Sequence, residues 1–457
     1  MEKIAYNKVF EKLEFIFKIL FLLYTMIGYN GFLFGNKIIS VVMWPMLLLG
    51  VIVVIWKGIH IKEYIHIPGF IGMLCFGISF VISMILNYRY EMKQNIITLL
   101  LLIFYFGIMY MQNKEKKVVE KEFKYIGMFY VGYMTISVIW SLILLDRHYG
   151  SVVNVNEDAY ELVTGFLWGR LWGVFLDPNV GAILACIAIA IAILFVQKSE
   201  NKLGKAIYAL IIILNILYIA FSDSRTGMLC LGCLGTLEIY CNIYKKIKGQ
   251  GLKKWLLLVS VCVIAAGVSF VAPKGITKVY NSVVSSIDTN ADKELIERGY
   301  ELSEDPSNRR FDIWKSGIEI FRQKWIAGTS YNGIRPYAYE KMPDTYIINN
   351  DSQDFRNLHN EFLNVLVAQG VLGLLSVILM IIPVVILVVK NLFNRREKSE
   401  IIICCFVCVS VIFAGIMLTS AGFFYYVCPY TPMFWITLGY LQNNLMREKQ
   451  ECEGMKE

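Results

Sequence analysis

Four short segments carry charged or polar side chains at the ends of apolar runs, where such side chains could bind an anion or transfer a proton. They are residues 170–179, 222–227, 308–314 and 358–362. A charged side chain beside hydrocarbon is costly unless it reaches water, pairs with another group or meets a ligand. Each segment is therefore a candidate site, and each also has a structural interpretation.

His359 lies in the last of these segments, just before a long apolar run. A lone histidine is usually only a polar contact. A helix that starts here would present its positive end, which disfavours the imidazolium and keeps a neutral ring able to accept a proton. This position favours His359 as a general base.

Arginines in two other segments could bind a phosphate. Arg225 stands in a tight turn of Ser, Asp, Thr and Gly residues between two apolar runs, so it either snorkels to water or belongs to an anion site. Arg309 and Arg310 open an amphipathic segment, where guanidinium groups and backbone N–H groups could converge on one phosphate. The alternative for this pair is a solvated basic turn.

The segment 170–179 is the most ambiguous of the four. Arg170 could anchor the chain at the membrane interface or bind an anion. Asp177 and Asn179 flank Pro178 at the start of an apolar run, a pattern that favours helix capping.

Several other kinds of chemistry lack support in the sequence. It contains no GxxxxGK[ST], HExxH or GxSxG motif, which argues against nucleotide hydrolysis, zinc proteolysis and serine hydrolysis. The pairs Cys230/Cys233 and Cys405/Cys408 have metal-ligand spacing but lie in apolar runs, which favours packing. We predict no metal and no cofactor. No basic stretch is interleaved with aromatics outside the membrane-flanking loops, so we expect no nucleic-acid partner either.

The elements that must position these residues are membrane helices. The chain has 457 residues, of which 57% are hydrophobic and only 18% charged, whereas a soluble domain is about 25% charged. Uncharged runs of spanning length predict an all-α integral membrane protein with about twelve spans. The predicted spans are 16–34, 38–56, 67–88, 95–111, 125–145, 180–196, 206–222, 227–244, 255–272, 361–389, 401–424 and 430–446.

Charge distribution predicts the orientation. With both termini in the cytoplasm, the inner segments hold 26 of the 44 Lys and Arg residues and the short outer loops hold six. The inner set includes Lys18, which we interpret with Lys3, Lys8 and Lys12 as the basic flank of the first span. We therefore predict a multi-pass protein of the cell (plasma or inner) membrane, with residues 146–179 and 273–360 outside.

The long outer loop divides the chain into three predicted parts: helices 1–9 in 1–272, a loop domain in 273–360, and helices 10–12 with a cytoplasmic tail in 361–457. The aromatic content of the loop predicts that it is folded. Asn308 or Ser307 could cap a helix with an apolar face on the membrane surface or on the bundle. That face would consist of Phe311, Trp314, Ile318, Phe321 and Trp325.

These residues, in this order, resemble the O-antigen ligase and polysaccharide polymerase superfamily over about residues 165–375. The most specific part is His359-Asn360 followed, after nine residues, by Gly370-Val371-Leu372-Gly373. The family pattern usually continues with Thr, whereas this chain has Leu374. The departure leaves ligase and polymerase both open.

The resemblance implies a GT-C-like membrane fold and a glycosyltransferase that needs no metal. Its substrates would be a polyprenyl-diphosphate-linked glycan donor, of undecaprenyl type, and a glycan acceptor, with membrane lipid around both. The family's conserved arginines correspond to Arg225 and to Arg310, which precedes Gly317 by seven residues, and its histidine corresponds to His359. Arg170, Arg309 and Asn360 are second-rank candidates.

Three functions remain open at this point. A polymerase joins lipid-linked repeats for surface polysaccharide, and a ligase moves a finished chain to a different acceptor. The lack of any acceptor signature favours the polymerase. A transporter or flippase of lipid-linked sugars would be indicated by ionisable residues near the bilayer midplane, and the predicted spans contain almost none.

Overall fold

The computed structural model describes residues 2–154, 161–244, 252–287, 295–297, 309–350, 355, 357–394, 399–417 and 422–454. Helices dominate these residues. Ser307 and Asn308, the predicted caps, lie outside them. The helices are α1 Glu2–Gly28, α2 Lys37–Ile59, α3 Phe70–Leu86, α4 Met92–Ile103, α5 Lys116–Asp146, α6 Pro178–Lys198, α7 Lys202–Phe221, α8 Arg225–Tyr244, α9 Leu252–Ile287, α10 Arg310–Gln323, α11 Ile334–Lys341, α12 Glu361–Asn394, α13 Ser399–Met417 and α14 Tyr430–Gly454.

Eight helices in the described part of the chain are long and apolar enough to cross a membrane: α2, α4 with its π-helical extension Phe104–Tyr110, α5, α6, α7, α9, α12 and α13. The helices α1, α3, α8 and α14 overlap the other four predicted spans, and α1 begins and ends earlier than the predicted 16–34. A helical, multi-pass membrane protein is thus confirmed. The count of twelve spans and the GT-C-like arrangement stay predictions.

The core surrounds α6, whose run of Ala, Ile and Leu is apolar on every side. Its residues from Val180 to Ala192 are buried without interruption, as expected for a helix inside a bundle. It packs on α5, α7, α8 and α13. Because α6 follows directly from the segment 170–179, that segment is fixed to the core.

Two elements differ from the expectations. A small antiparallel sheet, which the sequence did not predict, follows α5: β1 Gly150–Asn154, β2 Glu161–Leu167 and β3 Arg170–Gly173, in the order β1-β2-β3. In addition, α9 continues through Pro273 to Ile287 and so extends into the predicted loop.

The bundle has two distinct ends. At one, which we call the loop end, segments predicted to lie outside meet one another: the Asn87 side chain donates to Gly328 O at 3.0 Å, and Arg170 donates to Ser222 O at 3.0 Å. At the other, segments predicted to lie inside meet. There Arg447 donates to Asn113 Oδ1 at 2.7 Å. This pairing of segments fits a chain that crosses the membrane alternately.

The second end, which we call the ionic end, corrects the interpretation of Lys18 as a solvated flank. Lys18 is buried, and its ammonium lies 2.6 Å from a Glu14 oxygen. Lys57 and Lys114 each approach the same carboxylate at 3.1 Å. Glu122 pairs with Lys114 at 2.9 Å. Acids from α1 and α5 therefore neutralise lysines that hydropathy alone would leave in water.

Candidate active site

The Gly-x-x-Gly pattern, Gly370 to Gly373, marks a break in α12. Gly370 adopts φ 64°, a left-handed conformation that glycine tolerates and other residues resist. The loop segment 325–330 pairs with the broken helix: Trp325 O accepts from Val371 N at 2.8 Å, and Ser330 N donates to Ala368 O at 2.9 Å. A Cβ on Gly370 would collide with the carbonyl of Ile326. The outer loop and the membrane helix thus form one unit here.

Polar side chains of α3 fix this unit from behind. Ser83 Oγ donates to Ala368 O at 2.6 Å and accepts from Ser330 N at 2.8 Å. Gln369 accepts from Ser79 and donates to Tyr425 Oη at 2.5 Å. All of these side chains are buried, so each hydrogen bond avoids a desolvation penalty that an unsatisfied group would incur.

The first turn of α12 carries the predicted His-Asn pair. Asn360 Oδ1 accepts from the N–H groups of Phe362 at 3.1 Å and Leu363 at 3.2 Å, which makes Asn360 the helix cap. His359 lies just before Asn360 and has a φ of 51°. The backbone N–H of His359 donates to Asn357 Oδ1 at 2.8 Å. The Asn360 side chain therefore caps α12, whereas the His359 hydrogen bond to Asn357 involves its backbone and not its imidazole.

The His359 ring is partly buried among aromatic side chains. It packs edge-on against Phe355, with ring centroids 5.5 Å apart, and Phe355 in turn contacts Tyr346. Tyr346 Oη accepts from Arg309 Nη1 at 3.4 Å. Burial, and after it the positive charge of Arg310, lower the pKa of His359 to about 4. At neutral pH the ring is uncharged and can accept a proton.

Packing between α10 and α12 brings Arg310 to this histidine. Arg310 is the first residue of α10. A Cβ on Gly317 would lie 2.9 Å from Leu358 and 3.0 Å from Leu363, so glycine permits the close approach of the two helices. The buried face of α10 consists of Ile313, Ser316, Gly317 and Ile320. The predicted aromatic face is largely turned away from the bundle, with Phe311 68% exposed, so its position on the membrane surface stays a prediction.

Glu361 is a site residue that the sequence did not single out. Its side chain is fully buried, and Oε1 accepts from the N–H groups of Phe424 at 2.9 Å and Tyr425 at 3.1 Å. Asn364 Nδ2 donates to Oε2 at 3.2 Å. Glu361 thereby ties the turn before α14 to the start of α12. An acid in the first turn of a helix is ordinary, so its spacing carried no distinguishing signal.

Arg170 and its neighbours have structural contacts. Besides Ser222 O, the Arg170 guanidinium donates to Asn179 Oδ1 at 3.0 Å, and the side chain is buried. Asp177 Oδ1 accepts from Asn179 N at 2.7 Å, which confirms the capping interpretation. Arg170 thus holds the turn before α8 against α6.

Arg225, at the end of that turn, is exposed at the start of α8. The turn is compact: Ser224 Oγ accepts from Gly227 N at 3.2 Å, and Asp223 has φ 46°. In the described part of the chain, no hydrogen bond or ion pair joins Arg225 to Arg310 or His359. The structure therefore brings Arg309, Arg310 and His359 together, and it does not connect Arg225 to them.

Residues 2–154 and the other described ranges contain no group of three or more His, Cys, Asp or Glu side chains that could hold a metal ion. Of the two cysteine pairs, Cys230 and Cys408 are buried and Cys233 is exposed. The ionisable side chains described around the site include the His359 imidazole and the guanidinium groups of Arg309 and Arg310.

The region that contains these residues is similar to known proteins. Residues 209–378 match the family model described as O-antigen ligase, and this range contains Arg225, Arg310, His359 and the Gly370 break. An uncharacterized protein of Haemophilus influenzae (strain Rd) is 25% identical over 228 residues, which are 49% of this chain and 53% of that protein. The chain thus spans about half the length of this relative. The match over 209–378 supports the resemblance to the O-antigen ligase and polysaccharide polymerase superfamily that the motifs predicted.

Proposed function

We propose that the protein is a membrane glycosyltransferase that polymerises polyprenyl-diphosphate-linked oligosaccharide repeats at the outer face of the cell membrane. The observation that carries the proposal is the uncharged His359 beside Arg310, within the range that matches the O-antigen ligases. A base beside a cation is the arrangement that a sugar transfer from a diphosphate donor needs.

The proposed reaction is a direct displacement. A hydroxyl of the acceptor sugar attacks the anomeric carbon of the donor glycan, and His359 takes the hydroxyl proton. The bond from the anomeric carbon to the diphosphate oxygen breaks, and its electron pair leaves with the polyprenyl diphosphate. Arg310 stabilises the developing negative charge, which a bidentate guanidinium does better than an ammonium. The proton on His359 is later lost to water.

Arg225 is proposed as a second diphosphate contact. It is exposed at the start of α8, where a helix N-terminus adds favourable potential for an anion. Its compact Ser-Asp-Ser-Arg turn is held to the core by Arg170. To contact Arg225 and also react beside His359, the bound donor would have to extend from this turn to His359. Arg309 would support the site indirectly, through its hydrogen bond to Tyr346.

The outer-face location is part of the proposal. It is supported by the excess of Lys and Arg in the predicted cytoplasmic segments and by the meeting of the predicted outer segments at one end of the bundle. Lipid-linked donors that have been moved across the membrane would meet the loop end first.

Donor binding and transfer by the purified protein in nanodiscs test the site. We expect Arg225→Ala and Arg310→Ala to weaken binding of the lipid-linked donor, and Lys at either position to restore only part of it. Arg147→Ala, in the turn after α5 at the same end, is the matched control. Undiminished donor affinity in both variants would remove the diphosphate site.

Gene deletion separates the three functions. Single repeat units on the carrier would support the polymerase, whereas long chains retained on the carrier would indicate a ligase. A normal chain-length profile with impaired movement of lipid-linked sugar would indicate a transporter and contradict the proposal.

A further inference from the structure

A cavity of about 630 Å³ opens at the loop end, away from His359. One wall is the turn between α3 and α4, with Tyr88 and Arg89, and the other is formed by the end of α10 and by α11. Its volume is in the range of small-molecule sites, roughly 300–1,000 Å³. Arg310 and Lys324 stand at opposite ends of α10, a distance of about 20 Å for a helix of this length.

The walls of this cavity are held in place. Tyr90 packs edge-on against Tyr337, with ring centroids 5.9 Å apart, and its hydroxyl donates to Glu340 at 2.7 Å. Lys341 pairs with the other oxygen of Glu340 at 2.7 Å. The cavity is thus built by contacts between two segments far apart in sequence, which the Tyr90–Glu340 hydrogen bond joins, while Lys341 holds the Glu340 carboxylate from within α11.

The lining combines aromatic faces with cations. The Tyr88 ring is 60% exposed, and Lys324 lies 5.7 Å from the centre of the Tyr337 ring. Among the described residues neither Arg89 nor Lys324 forms an ion pair, and the carboxylate beside the lining, that of Glu340, is paired with Lys341. A sugar ring offers an apolar C–H face to an aromatic ring and hydroxyl groups to polar side chains at its edge. The cations add a preference for negative charge.

From these features we infer that the cavity is a glycan subsite that binds an acidic oligosaccharide segment, remote from the sugar that reacts. This inference rests on the proposed function. Binding energy from a non-reacting part of a substrate can hold the reacting end in position. A segment held about 20 Å from Arg310 lies several sugar units from the transfer centre, so the subsite would recognise the body of the chain in either the donor or the acceptor.

The test uses soluble sugars, so that its outcome does not depend on transfer. The full chain in phosphatidylcholine nanodiscs is titrated with trigalacturonate and with neutral maltotriose. We expect trigalacturonate to bind in preference to maltotriose, more weakly as salt is raised. Arg89→Gln and Lys324→Gln should each weaken it by about tenfold, the value of one charge-assisted hydrogen bond.

Lys93→Gln is the matched control, because Lys93 is an exposed lysine at the start of α4, just after the same turn and outside the lining. It should leave the affinity unchanged, and thermal stability checks that each variant is folded. Equal affinity for the two sugars, or unchanged affinity in both lining variants, overturns the inference. Displacement of trigalacturonate by phosphatidylglycerol in the nanodisc would assign the cavity to a lipid headgroup and overturn it too.

A transfer assay then identifies the source of the segment. If the acidic segment belongs to the donor, Arg89→Gln raises KM for the donor; if it belongs to the acceptor, it raises KM for the acceptor. Sugar binding without any transfer would contradict the proposed function and leave the subsite standing. Transfer without sugar binding would contradict the subsite and leave the proposed function standing.

Discussion

The two ends of the bundle differ in how charged groups are arranged: opposite charges pair at the ionic end, whereas a positive charge lies beside a neutral ring at the loop end. At the ionic end three lysine ammonium groups surround the Glu14 carboxylate at 2.6–3.1 Å, and Glu122 completes the cluster. At the loop end Arg310 lies beside His359, and its positive charge helps to keep that ring neutral. In the first arrangement each lysine is paired with a carboxylate of the same chain. In the proposed function, a bound diphosphate would add its negative charge to the second.

This difference separates structural charge from functional charge. Buried ions are tolerated when each is compensated by an opposite charge, and removal of one partner leaves the rest uncompensated. A like charge beside a histidine raises the cost of its protonation, which suits a base that must start uncharged. The comparison therefore predicts that loss of an ionic-end charge affects folding, whereas loss of a loop-end charge affects catalysis.

The largest expected effect is on catalysis, at His359. His359→Asn keeps a residue that tolerates the left-handed backbone at this position. Without the base, transfer should slow by about 100- to 10,000-fold while donor affinity and thermal stability stay near those of the wild type. Single-turnover transfer by the purified protein measures the transfer rate.

His148→Asn provides the control for this substitution, because His148 also has a left-handed backbone, with φ 47°. It should transfer sugar at the normal rate. Rapid transfer by His359→Asn would exclude His359 as the base.

The converse effect is expected at Glu14. Glu14→Gln leaves Lys18, Lys57 and Lys114 buried with one carboxylate fewer, which should cost about 3–5 kcal/mol of stability. The fraction that remains folded should retain the wild-type transfer rate. Glu115→Gln, an exposed acid at the same end, should change neither quantity. Thermal unfolding in detergent measures the loss, and an unaltered transition would mean that the cluster is not stabilising.

A smaller effect is expected where the loop enters the membrane bundle. Gly370→Ala should place a side chain in the left-handed region and against Ile326 O, at a cost of about 1–3 kcal/mol. Displacement of the segment 325–330 should also lower the transfer rate. Gly267→Ala, in α9 with nothing within 4 Å of the added Cβ, is the control. Equal stability of the two variants would show that the break does not depend on Gly370.

The sequence predicted the elements of both ends better than their contacts. Hydropathy located α2 at 38–56, and the helix is Lys37–Ile59. The family pattern placed His359 and Arg310 in one site, and α10 does pack beside the start of α12. The burial of Lys57 beside Glu14 was not predictable, because it depends on contacts between helices that no local pattern records. The same reason applies to Glu361, whose backbone partners Phe424 and Tyr425 lie more than sixty residues away.

The pH dependence of transfer tests the loop end most finely, although the expected effect is the smallest. The active form of His359 is neutral, so kcat/KM should fall as the pH drops through its pKa of about 4 in the free protein. Burial is the larger cause of that low value and Arg310 the smaller. Arg310→Gln should therefore raise the pKa of His359 and move the acid limb of the kcat/KM profile to higher pH. The pKa should not return fully to the usual histidine value, because the burial of the ring remains.

The position of the limb must be separated from its height, since Arg310→Gln should also weaken donor binding and lower kcat/KM at every pH. Arg309→Gln is the matched control: Arg309 is adjacent and exposed, and the charge that acts on His359 is that of Arg310. In the wild type the bound diphosphate should favour the imidazolium, so the acid limb of kcat should lie at higher pH than that of kcat/KM. If the limb stays in place in Arg310→Gln, or moves equally in Arg309→Gln, the two groups do not interact as the comparison of the two ends requires.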